Sequence, residues 1–137
     1  MREDIPPVGL IYDLERYPIL DLVERYFIEG EIRVKRLSGC LCLQRKEDLE
    51  GLSAIFFHLP SYSGENSCYP SMGECVDKFP KILFYFLDIF RRLSDSDLKN
   101  KSNVRIFNGE EGRNFVENPL DYFTRDLEKL RNGLDGI

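Results

Sequence analysis

The stretch LSAIFFHL, residues 52–59, is nearly continuous in apolar residues and includes the β-favouring Ile55, Phe56 and Phe57. Strands that are covered on both faces have such apolar runs, whereas strands with one solvent-exposed face alternate between apolar and polar residues. The stretch therefore predicts a buried strand at the centre of a sheet. We expect the other strands and the helices to be arranged around it.

The residues before this strand carry both strand and helix patterns. Residues 8–12, VGLIY, follow a Pro-Pro pair and predict a short strand. From Pro18 onward one helical face is apolar, which predicts an amphipathic helix; its members are Ile19, Leu22, Val23, Tyr26 and Phe27. Residues 32–43 alternate on either side of Ser38 and Gly39, which predicts a hairpin or one long strand with a bulge.

The segment DKFPKILFYFLDIFRRLSD, residues 77–95, predicts the main core helix of the chain. Asp77 is a residue type that caps helices, and Pro80 suits a first turn. Apolar residues surround nearly the whole circumference between Ile82 and Phe90, as is typical of a helix buried in a core or partly covered by a partner. A homodimer through this helix is one possible arrangement.

The end of the chain predicts one more strand and one more helix. Val104 and Ile106 alternate with polar residues before an Asn-Gly pair. A helix starts at Pro119, and its apolar stripe consists of Leu120, Phe123, Leu127 and Leu130. The order (β)αβββαβα predicts an α/β or α+β fold for residues 1–137 as a single globular domain, with one mixed sheet of about four to five strands and about three helices.

Composition narrows the classes of function. The 137 residues carry a net charge of −5, so the electrostatic footprint of a nucleic-acid-binding protein is missing, whereas a basic protein partner is compatible. The beginning, MREDIPPVGL, lacks the pattern of a secretory signal, and the apolar run ILFYFLDIF is too short to span a membrane. We therefore expect a soluble, cytoplasmic protein with reduced cysteines and no contact with a membrane.

The segment HLPSYSGENSCYPSMGEC, residues 58–75, contains the only histidine and two of the four cysteines. Four thiolates can close a tetrahedral zinc site, and the candidate ligands are Cys40, Cys42, Cys68 and Cys75, with His58 as a substitute for one of them. Cys68 and Cys75 are seven residues apart, which differs from the usual two to four residues of a zinc knuckle. We therefore expect no metal and no other cofactor, with the cysteines packed as small apolar residues.

Catalysis is a second interpretation of the same segment. Cys75 could lie near the start of a helix, which lowers the pKa of a thiol, with His58 as its base. The local signatures of cysteine proteases are missing from the sequence, as are the H-x-E and P-C-x-x-C motifs of zinc deaminases. A structural histidine and an unreactive cysteine are the alternative.

A small anionic ligand or nucleotide is a third interpretation. The stretch SYSGENS has the small, hydroxylated and Gly-containing composition of loops that hold anions at a helix start. Neither GxxxxGK[ST] nor GxGxxG is present, and the alternative is a surface loop in which Ser, Gly and Asn only make turns. This interpretation would make the protein a ligand sensor or a small enzyme built around residues 58–75.

Contact with a protein partner is the interpretation that the sequence favours most. Tyr62 and Tyr69 offer large contact areas, Asn66 offers adaptable hydrogen bonds, and Glu65 offers a charge for a basic partner. Phe115, in the polar stretch GEEGRNFVEN, is a further aromatic candidate for such a surface, and the alternative is that it belongs to the core. We therefore expect a non-catalytic interaction protein, such as an inhibitor, an immunity factor or a regulatory subunit, that binds through residues 60–74.

Overall fold

The structure is a computed structural model, and it describes residues 5–12, 18–38, 45–58, 72–87 and 97–131. Its strands are β1 (Val8–Tyr12), β2 (Val34–Ser38), β3 (Ala54–His58), β4 (Leu83–Leu87) and β5 (Val104–Phe107). Its α-helices are α1 (Pro18–Glu29), α2 (Lys46–Leu49), α3 (Met72–Lys78), α4 (Gly109–Glu117) and α5 (Pro119–Arg131). A 3-10 helix, Asp97–Asn100, precedes β5.

The five strands form one sheet in the order β2-β1-β3-β4-β5. The α/β class, the single sheet and the central position of β3 are therefore confirmed. All four strand pairs among the described residues are parallel, so the expectation of a mixed sheet is wrong for this part of the chain. That expectation included a hairpin at Ser38, but β2 ends there and pairs in parallel with β1; residues 40–43 lie outside the described residues. Parallel neighbours require crossover connections, and helices supply them here.

The segment predicted as the main core helix contains a strand instead. Leu83–Leu87 forms β4, and its five side chains are between 0% and 1% exposed. A strand covered on both faces has no alternation in its sequence, so its apolar run resembles that of a buried helix. Asp77 belongs to α3 rather than capping a later helix, and Pro80 lies in the turn before β4. The predicted exposed face for a partner or homodimer is therefore wrong for the described part of this segment.

Helices cover both faces of the sheet. Side chains of α1, α4 and α5 pack on one face, where the ring of Phe56 stacks on Tyr85 at 4.8 Å between centroids and contacts Phe115 at 5.5 Å. Side chains of α2, α3 and the 3-10 helix pack on the other face, around Phe57 and Phe86. Two such layers explain why β3 and β4 are almost entirely apolar.

Phe115 is fully buried, so the interpretation that places it on a partner-binding surface is wrong and the alternative, that it belongs to the core, is confirmed. It lies on α4, a helix that its mostly polar sequence does not predict. The centroid of its ring lies 4.4 Å from that of Phe107 on β5, which places α4 against the edge of the sheet. The predicted helices at α1 and α5 are confirmed, and the α5 stripe is buried at Phe123 and Leu127.

Hydrogen bonds join the amino ends of the strands. The Ser53 hydroxyl donates to the Pro6 carbonyl at 2.7 Å, and the Ser53 amide donates to the Pro7 carbonyl at 2.9 Å. The side-chain amide of Asn103 lies 3.0 Å from the carbonyl oxygens of both Phe79 and Ile82 and 3.4 Å from that of Val76. Ser53 and Asn103 are 4% and 5% exposed, so these bonds satisfy polar groups that water barely reaches.

Candidate functional site at the carboxyl edge of the sheet

The carboxyl ends of the strands meet at one edge of the sheet because all the strands are parallel. β1 ends at Tyr12 and β3 ends at His58, one residue after the paired positions Ile11 and Phe57. On the other side, His58 pairs with Leu87, the last residue of β4. His58 therefore ends the middle strand, between the ends of its two neighbours.

The direction of strand addition reverses between β1 and β3. From β1 the chain continues outward to β2, and it then returns to add β3 on the opposite side of β1. In doubly wound sheets, ligands bind beyond the carboxyl ends of the strands at such a topological switch point. The backbone of His58 lies at this point, and residues 59–71 continue from it.

Most of the candidate contact and ligand residues lie outside the described residues. Tyr62, Glu65, Asn66 and Tyr69 follow His58 in this connection, and so does Cys68. The connection leaves β3 at the carboxyl edge and leads to α3, which begins at residue 72. The fold therefore fixes where this segment starts and where it ends.

Two further candidate cysteines, Cys40 and Cys42, also lie outside the described residues. Cys75 is the fourth residue of α3, near the start of a helix as expected. It is half-buried and packs against the core layer beneath α3. Within the described ranges, no group of three or more His, Cys, Asp or Glu side chains could hold a metal ion.

A buried polar contact that the sequence does not predict lies between α5 and the β4–β5 side of the sheet. The Tyr85 hydroxyl donates to Asp126 Oδ2 at 2.7 Å, and Arg105 Nε lies 3.3 Å from the same oxygen. Tyr85 is 1% exposed and Asp126 is 2% exposed. Burial raises the pKa of Tyr85 well above its ordinary value, and the Asp126 carboxylate raises it further. Tyr85 thus stays a neutral donor, and the contact joins β4 and β5 to α5.

The ring contacts of Arg105 and the small volume beside it indicate a structural role. Its guanidinium lies 5.5 Å from the ring centroid of Phe107 and 5.3 Å from that of Tyr122. The recess that it lines with these rings has a volume of about 190 Å³. Ligand pockets usually have volumes of about 300 to 1,000 Å³, so this recess is small for a ligand. The sequence signal for this contact is the position of Asp126 on the apolar face of α5, three residues after Phe123 and next to Leu127.

No protein-family model, curated protein sequence or solved structure matches this chain. In the part of the chain that the structure describes, no helix is long and apolar enough to cross a membrane. The fold is that of a doubly wound parallel α/β domain with its candidate residues after the middle strand.

Proposed function

We propose that the protein is a non-catalytic binding domain that contacts a protein partner through residues 60–74. The observation that supports this most is the origin of the segment at the end of β3, the middle strand of the sheet. Phe56 and Phe57 on this strand are 0% and 1% exposed, and both neighbouring strands are paired with it. Loops presented by a rigid scaffold are where binding residues concentrate.

The chemistry of the segment suits protein contact. Tyr62 and Tyr69 offer large areas that lose little side-chain entropy on binding, and Asn66 adds donors and acceptors. The net charge of −5 and the carboxylate of Glu65 favour a basic partner. An inhibitor, an immunity factor or a regulatory subunit acts in this way, and we propose a cytoplasmic setting, where its four cysteines stay reduced.

The second candidate function is the binding of a small anionic ligand at the same edge. The switch point between β1 and β3 favours it, since this is where doubly wound sheets hold their ligands. The sequence SYSGENS could supply hydroxyl and amide donors to an anion. Both functions use the carboxyl edge, and they differ in the size of the molecule that binds.

Site-specific photo-crosslinking tests the proposed protein contact. A photoreactive phenylalanine analogue replaces Tyr62 or Tyr69 in the cell, and Lys46, an exposed residue of α2, serves as the matched control position. We expect one protein to be crosslinked from positions 62 and 69 but not from position 46. The same adduct from all three positions, or none from 62 and 69, would contradict the proposal.

Titration with inorganic phosphate and with ATP tests the second candidate. Amide chemical shifts in the last residues of β1 and β3 report on the switch point, and those of α5 serve as the reference. Saturable shifts confined to the carboxyl edge, without any crosslinked protein, would favour the small ligand. Unchanged shifts together with a crosslinked partner would favour the protein contact.

A further inference from the structure

A cavity lies at the amino edge of the sheet, opposite to the carboxyl edge. Its volume is about 610 Å³, within the usual range of about 300 to 1,000 Å³ for small-molecule sites. Residues before β1 and β3, the turn before β4, and the last turns of α5 form its walls. The apolar members are Pro6, Leu52, Phe79, Ile82, Leu127 and Leu130.

The cavity is open to solvent on the side of Gly51. This glycine has a φ of +85°, and a side chain at this position would meet no atom within 4 Å. The Ser53 hydroxyl, which also lines the cavity, already donates to the Pro6 carbonyl at 2.7 Å. A ligand would therefore meet an apolar wall and few unused polar groups there.

Two lysines lie at the border of this apolar wall. Lys78 and Lys81 line the cavity, and both are exposed. Within the described ranges, neither of them forms an ion pair, whereas the lining carboxylate of Glu50 lies 3.4 Å from Lys46. The lining of the cavity thus carries two lysines that form no ion pair among the described residues, and one carboxylate, that of Glu50, which pairs with Lys46. Charge complementarity favours an anionic group at this border.

We propose that the amino-edge cavity binds an amphipathic carboxylate, with its apolar chain on the wall around Leu127 and Leu130 and its carboxylate at Lys78 and Lys81. The apolar chain would remove exposed apolar surface from water, which supplies most of the affinity. The two lysines would select the charge of the head group. This site is separate from the proposed partner contact at the carboxyl edge, so either proposal can be refuted without affecting the other.

Isothermal titration calorimetry of the full chain with decanoate tests the site. We expect saturable binding of one decanoate per chain below its micelle concentration, and weaker binding of decyltrimethylammonium, which has a cationic head on the same chain. The double variant K78A/K81A should bind decanoate about five- to tenfold more weakly, because exposed ion pairs contribute modestly. Equal affinity of the variant and the wild type, or the absence of saturable binding, would overturn the proposal.

Two control variants sharpen the result. Lys129 lies on α5 near Leu130 but does not line the cavity, so K129A should keep the wild-type affinity. L130W places a larger side chain at the wall and should abolish binding while circular dichroism shows the fold intact. Decanoate binding that appears only after removal of residues 132–137, or a dimer that decanoate leaves intact and that L130W abolishes, would identify another occupant and overturn the proposal.

Discussion

The two ends of the parallel strands are held in different ways. At the amino end, buried Ser53 and Asn103 join neighbouring segments through hydrogen bonds to backbone carbonyls. At the carboxyl end, β3 leads into residues 59–71, which include the polar and aromatic candidates for partner contact. Under the proposed function, the hydrogen bonds at the amino edge stabilise the fold, while the carboxyl edge presents the segment that contacts the partner.

The largest expected loss of stability comes from the sheet interior. Asp126→Ala removes the acceptor of the Tyr85 hydroxyl and the counter-charge of Arg105. We expect the free energy of unfolding to fall by about 3 kcal/mol, the lower end for a broken buried ion pair, because Arg105 is partly exposed. Urea denaturation measures this change in the free energy of unfolding. Glu128→Ala on the exposed side of α5 is the control, and an equal loss in both variants would contradict the role of Asp126.

The next effect tests the amino edge itself. Asn103→Ala leaves the carbonyl oxygens of Phe79 and Ile82 without their side-chain donor. We expect a loss of about 2 kcal/mol, the usual cost of buried groups left without a partner. Asn114→Ala, at an exposed position of α4, should stay within about 0.5 kcal/mol of the wild type. A similar small change for Asn103→Ala would remove the contrast between the two ends.

A smaller effect separates hydrogen bonding from charge in the interior. Tyr85→Phe removes the hydroxyl that donates to Asp126, and we expect a loss of about 1 kcal/mol at neutral pH. Thermal unfolding of the variant and of the wild type measures the difference.

The pH dependence of that difference follows from the raised pKa of Tyr85. In the unfolded chain a tyrosine loses its proton near pH 10, whereas folded Tyr85 keeps its proton to a higher pH. The stabilisation is therefore complete below about pH 10 and is lost as pH rises toward the folded pKa. Above about pH 10, we expect the wild type to lose about 1.4 kcal/mol per pH unit relative to Tyr85→Phe. If the free energies of unfolding of the two proteins change in parallel with pH, the pKa of Tyr85 is not raised by folding.

The smallest effect on stability is expected at the carboxyl edge. If residues 60–74 serve contact, the double variant Y62A/Y69A should change the free energy of unfolding by less than about 0.5 kcal/mol, as surface substitutions usually do. Urea denaturation gives this value on the same scale as for Asn103→Ala. A loss above about 2 kcal/mol would mean that the tyrosines belong to the core rather than to a contact surface.

Much of the fold could be predicted where a pattern has only one explanation. The period of α1 and the stripe of α5 match a helix with one buried face, and both helices are observed. The apolar run of β3 is short and rich in β-favouring residues, which is enough to place it in the middle of a sheet.

The rest required tertiary information. The run around β4 is apolar at every position, so its period could not separate a strand from a helix. α4 begins with Gly109, Glu110 and Glu111 and has few apolar residues, although Phe115 and Val116 are enough to fix it on the sheet. Its packing against Phe107, rather than local propensity, decides its structure.

The sequence identifies the segment that carries the candidate residues, but it does not predict where in the fold that segment begins. Residues 58–75 stand out by composition, yet the position of His58, where the segment begins, at the switch point depends on the order of β1, β2 and β3. The contact between Tyr85 and Asp126 joins residues that are 41 positions apart, and no local pattern marks such a pair.

The affinity of the crosslinked partner, purified and titrated against four single variants, tests the proposed binding function most directly. Tyr62→Ala and Tyr69→Ala should each weaken binding by tenfold or more, because aromatic anchors often contribute more than about 1.4 kcal/mol to an interface. His58→Ala and Cys75→Ser should leave binding close to that of the wild type, with all four proteins folded by circular dichroism. If the tyrosine variants bind normally while loss of His58 or Cys75 abolishes function, the site is catalytic and the interaction proposal is wrong.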